Sequence, residues 1–83
     1  MLIHSPKELA EFARDHRNRK KLSQVEVSDR VGLRQKTVSA FESNPEGTKL
    51  DTFFRLLSAL ELELQIIPKE EIGLSTPGWD EEW

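Results

Sequence analysis

Apolar positions along this chain fall into four helical repeats followed by one alternating run. Between Ser23 and Phe41 two short helical patterns meet at Gly32, and Val27, Val31, Leu33, Val38 and Phe41 can share one buried wedge. Ser23 is a good N-cap for the first pattern, and Glu26 stands at the spacing of a capping box. Gly32 suits a left-handed residue ending that helix. The second pattern buries Val38 and Phe41 and turns Arg34, Gln35, Lys36, Ser39 and Ala40 outward. Those cationic, amide, hydroxyl and small side chains are the types that meet base edges and phosphates in a major groove.

Upstream, residues 1–4 read as a short arm. Ser5 and Pro6 start a helix, as N-cap and first helical residue, with Glu8 at its third position. Leu9, Phe12 and Ala13 give its inner face, with His16 one turn later. Arg17, Arg19, Lys20 and Lys21 close it; they suit the helix dipole and also lie within reach of a DNA backbone. Downstream, the segment from Ser43 to Gly47 is turn-rich. Thr48 is expected to cap a fourth helix, with Asp51 at its third position and Leu50, Phe53, Phe54, Leu57 and Leu60 as a core-facing stripe.

From Glu61 to Ile67 the period changes. Leu62, Leu64 and Ile66 alternate with Glu63, Gln65 and Ile67, a half-buried strand pattern that Pro68 ends. No other segment reads as a strand, so its backbone would pair with the same strand of a second copy about a two-fold axis. The competing assignment continues the helix through Leu57, Leu60, Leu64 and Ile67. The expected architecture is therefore all-α: a four- to five-helix domain over residues 1–68, with one C-terminal strand paired across a homodimer. Residues 69–83 form a flexible tail that carries both tryptophans, Trp79 and Trp83. Trp is enriched at binding hot spots.

Composition narrows the function. The chain has 83 residues, 36% hydrophobic and 33% charged, which fits one small soluble domain. No apolar run approaches the ~20 residues of a membrane helix, and Met1-Leu2-Ile3 is too short for a secretory signal. Cysteine is absent, and two histidines alone build no metal site. There is no nucleophile with a paired base and no glycine-rich phosphate loop, so neither an enzyme nor a cofactor is expected. The net charge of −3 divides unevenly: residues 1–45 hold nine Lys/Arg against six acids, residues 46–83 three against nine. Local field governs phosphate attraction, and the basic portion coincides with the two-helix unit.

The unit at 23–43 resembles the helix-turn-helix of phage-repressor-like (Cro/C1, XRE) DNA-binding proteins: Gln24 heads the first helix, small Ser28 sits at the crossing, Gly32 in the turn and Val38 inside the second helix. Phe41-Glu42-Ser43-Asn44-Pro45, Thr52-Phe53-Phe54, Leu60-Glu61-Leu62 and the terminal Glu82-Trp83 narrow the resemblance to HipB-type antitoxins. That resemblance implies a cytoplasmic, nucleoid-associated homodimer that represses its own operon and neutralises a HipA-type serine/threonine kinase toxin. It implies base reading by Arg34 and Gln35, base or phosphate contacts by Lys36, Thr37, Ser39 and Gln24, and a toxin pocket for Trp83. Val25 and Lys36 depart from the family's small residues, so the docking mode is implied and the operator sequence is not. The alternatives are a phage-repressor-like regulator with no toxin partner, or a pure protein-interaction module; the basic 17–21 cluster and the outward Arg34-Gln35-Lys36 argue against the latter.

Overall fold

A computed structural model describes residues 2–72; Trp79 and Trp83, the latter expected to enter a toxin pocket, lie outside the described residues. Four α-helices carry the fold: α1 (Pro6–Arg19), α2 (Gln24–Val31), α3 (Gln35–Ser43) and α4 (Leu50–Ala59). Short 3-10 turns at Pro45–Gly47 and Lys69–Ile72 complete the order. The all-α class is as expected.

Side-chain caps explain the starts of α1 and α2. The Ser5 hydroxyl accepts the Glu8 backbone N–H at 3.1 Å, and the Glu8 carboxylate accepts the His4 N–H at 2.7 Å. The α2 capping box forms in full: Glu26 N–H donates to the Ser23 hydroxyl at 3.0 Å, and Ser23 N–H donates to the Glu26 carboxylate at 2.8 Å. Those bonds from Ser23, backbone first, hold the Glu26 carboxyl below its usual range. At α4 the expectation fails. Thr48 instead closes the 3-10 turn, its N–H on the Pro45 carbonyl, and Lys49 is the N-cap with no side-chain bond.

Three helices stop in the same way. A left-handed residue follows each: Lys21 (φ 58°), Gly32 (φ 70°) and Glu61 (φ 58°). A leucine comes next, and its N–H returns to the carbonyl five residues back: Leu22 to Arg17, Leu33 to Ser28, Leu62 to Leu57. All three leucines pack on the core, the apolar contact that accompanies this helix stop. The third stop decides between the two assignments of the following segment. Helix α4 does not continue through Leu64 and Ile67.

The core joins all four helices through Ala10, Ala13, Val27, Val38, Phe41, Leu56, Ala59 and Leu60. Phe53 leans on Phe41 with ring centroids 6.3 Å apart. The stripe predicted for α4 is rotated. Leu56, Leu57, Ala59 and Leu60 face inward, whereas Leu50 is 72% and Phe54 52% exposed. Helix α4 is apolar over more than half its circumference, and the seam through Leu56 takes the interior. In the single copy, residues 62–68 adopt no regular element, and Leu64, Ile66 and Ile67 are exposed.

A Cβ built on Gly32 meets nothing within 4 Å, so a substitution there costs backbone strain and not a clash. Gly32→Ala should lower unfolding free energy by roughly 1–2 kcal/mol, and Gly32→Asn by less, in urea titrations.

Candidate nucleic-acid interface

Helices α2 and α3 meet where Ser28 is 2% exposed. A larger side chain would wedge the helices apart, and the buried hydroxyl is satisfied by donating to the Val25 carbonyl at 2.8 Å. Val27 lies buried on α2, and Val38 and Phe41 on α3. With those faces turned inward, the rest of α3 must face out. Arg34, Gln35 and Lys36 are exposed at its N-terminal end, and Thr37 and Ser39 are half-buried. The Arg34 carbonyl accepts the backbone N–H groups of the third and fourth helical residues, Thr37 at 2.9 Å and Val38 at 3.3 Å.

Gln24 is brought to the same end. Gln35 Nε2 donates to Gln24 Oε1 at 2.6 Å, and Gln24 Nε2 donates to Glu42 Oε1 at 3.0 Å. Arg17 closes the chain of bonds. Its Nε donates to Glu42 Oε2 at 2.7 Å, its Nη2 to Oε1 at 3.0 Å, and its Nη1 to the Leu22 carbonyl at 2.8 Å. The line therefore runs from α1 through the last turn of α3 to the head of α2 and on to the head of α3.

The chemistry of this line has a direction. An ionised carboxylate only accepts, so Glu42 fixes which end of the Gln24 amide faces it. Gln24 must then offer its oxygen to Gln35. That draws one N–H of the Gln35 amide inward and leaves its oxygen and second N–H for an outside partner. One acceptor beside one donor is the pair that adenine N6 and N7 require in the major groove.

A helix-turn-helix family model matches residues 14–67 of the chain. Antitoxin HipB of Escherichia coli K12 is 39% identical over 64 residues, covering 77% of this chain and 73% of that protein. The HipB chain of a HipB–O4 20-mer complex superposes with a TM-score of 0.80 at 37% identity, covering 82% of this chain and 96% of that one. A structure of a HipA–HipB–O2–O3 complex matches with the same score, identity and coverage. The chain belongs to the HipB antitoxins of the helix-turn-helix family. These antitoxins are DNA-binding regulators and not enzymes.

For a HipB-type antitoxin the structure sorts the expected site residues into two groups. Gln24, Arg34, Gln35 and Lys36 gather where α2 and α3 begin, and Thr37 and Ser39 sit further along α3. The cationic cluster divides. Arg17 is committed to Glu42, and Lys20 pairs with Glu61 at 3.1 Å. Arg19 and Lys21 form no ion pair among the described residues. The partners Arg17 and Glu42 stand 25 residues apart, and no spacing in the sequence joins them.

Their side chains are 12% and 8% exposed. Removing one partner of so sheltered a pair strands the other charge. Glu42→Ala should therefore cost roughly 3–5 kcal/mol in denaturant unfolding. The Arg17→Met, Glu42→Leu double variant should recover most of that loss. A double variant as unstable as the single one would show that the stranded charge is not the cause.

Proposed function

We propose that this antitoxin is a homodimer that represses its own operon and also captures a HipA-type serine/threonine kinase toxin. The observation that carries the DNA half is the junction of Gln24 and Gln35 at the exposed heads of α2 and α3, flanked by Arg34 and Lys36. Arg34 forks onto guanine O6 and N7, and Gln35 onto adenine N6 and N7, each contributing roughly 1–3 kcal/mol of discrimination. Lys36, Thr37, Ser39 and Gln24 add base or phosphate contacts. The neighbouring structures, in which HipB is paired with O-site duplexes and with HipA, support both halves.

Dimerisation rests on the apolar surface that one copy leaves in water. Leu64 and Ile66 of the 62–68 segment are exposed, as are Leu50 and Phe54 on the outer face of α4. Leu62, expected in the same strand, already packs on its own core and serves the interface less. Strand pairing about a two-fold axis would satisfy the segment's backbone and place two α3 helices in successive major grooves about 34 Å apart. The operator would be near-palindromic. Residues 1–68 would form the DNA-binding and dimerisation domain and 69–83 the toxin-capturing tail, with the protein acting at the nucleoid in the cytoplasm.

Two experiments separate these roles. Gln35→Ala should weaken binding to the protein's own upstream DNA by about tenfold or more, and binding to random duplex far less, in titrations at matched salt. Equal losses would remove the base-reading role. Deleting Trp83 should weaken capture of the kinase in a pull-down or calorimetric titration while leaving operator affinity unchanged. Undiminished capture would remove the tail's role.

A further inference from the structure

The last turn of α4 is held more completely than a helix end requires. A helix leaves its last four carbonyls without partners of its own. Here each finds one. The Leu57 carbonyl accepts the Leu62 N–H at 2.8 Å, and the Ser58 carbonyl accepts the Glu61 N–H at 3.1 Å. The Ala59 carbonyl accepts Arg30 Nη1 at 2.9 Å, and the Leu60 carbonyl accepts His16 Nε2 at 3.1 Å. The first two bonds are local. The other two come from α2 and α1, across 29 and 44 residues of sequence. Lys20 adds an ion pair to Glu61, the left-handed residue at the exit. Its hydrogen bond and charge, with Arg30 behind it, hold the Glu61 carboxyl below the usual carboxylate range.

Two features make this more than a cap. The side chains involved belong to the helices that carry or brace the DNA-facing surface. The chain they grip leads at once into residues 62–68, where Leu64 is 50% and Ile66 86% exposed. Whatever fixes the exit of α4 therefore fixes the angle between that segment and α3.

We propose that His16, Lys20 and Arg30 are positioning residues that set the distance between the two recognition helices of the dimer, and so select the half-site spacing of the operator. The inference rests on the dimeric, two-half-site reading above. In the folded subunit Lys20 and Arg30 each direct a charged group to the end of α4. Stretching or shortening an operator by one base pair shifts the second half-site along the duplex and rotates it about the axis. A rigid exit cannot follow that change; a loosened one can.

The test uses the full chain and a palindromic duplex selected by the protein from random sequence, with central spacers of native length and one base pair longer or shorter. Wild type should lose about tenfold or more on either altered spacer. Arg30→Gln combined with His16→Ala should bind the native spacer more weakly and discriminate among the three by less than about threefold. Lys20→Met removes only an exposed ion pair, leaves folding intact, and should narrow the discrimination in the same direction. The salt dependence decides against the rival role. Removing a cation that touches a phosphate reduces the slope of log affinity against log salt by about 1, whereas loosening the clamp leaves it unchanged. Unaltered spacer discrimination in both variants, or a slope reduced in step with the charges removed, overturns the proposal. A wild type that binds a single half-site as tightly as two overturns the dimeric reading and the proposal with it.

Discussion

A carboxylate kept from water must be answered by donors, and Glu42 gathers its donors from two other helices. Arg17 reaches it from α1 through two nitrogens and Gln24 from the first turn of α2 through one. The net energy of such a pair is small beside its desolvation cost, so its value lies in what it forbids. Helix α3 cannot slide along α1, or α2 tilt away from α3, without exposing one unpaired charge or two. The same carboxylate orients Gln24, and through it Gln35. The bond that holds the helices together therefore also orients the side chain proposed to meet the base. On the proposed reading, stability and recognition share one atom, Glu42 Oε1.

Much of this was legible before any coordinates. The capping box of Ser23 and Glu26, the left-handed Gly32 and the buried Val27, Val38 and Phe41 all follow from local rules acting within a few residues. The network around Glu42 does not. Arg17 reads as one cation among four at the end of a helix, and Glu42 as one acid in an exposed-looking run. Only the packing of α1 across α3 turns them toward each other, and long-range partners of this kind leave no periodic trace. The same holds for Arg30 and His16, whose acceptors are backbone carbonyls that no sequence pattern marks.

Helix α4 shows a different limit. Its apolar residues outnumber the positions that one inward face can take, so two phases of burial are compatible with the pattern. Tertiary packing chooses the phase with Leu56 inside and leaves Leu50 and Phe54 out. Burying side chains of this kind stabilises a fold by about 1.5–3 kcal/mol each. Leaving such side chains in water forgoes that gain unless a second surface covers them. The exposed Leu64 and Ile66 belong to the segment that follows the same helix, so the dimer reading gains a second contributing element.

The distribution of charge then acquires a sharper meaning than the division into a basic and an acidic half. Three cations of the basic half have partners within the subunit: Arg17 on Glu42, Lys20 on Glu61, and Arg30 on the end of α4. Two of these meet the last turn of α4 and its exit, where the acidic half begins to dominate. Those left facing outward include Arg34 and Lys36 at the mouth of α3, beside the oriented Gln35. Fields decay within about 8–10 Å at physiological salt, so the charges nearest the groove dominate attraction to phosphate. A chain of net −3 can thus present a locally positive face to DNA, because its surplus acids lie downstream of α3 in the sequence, several of them beyond the α4 exit.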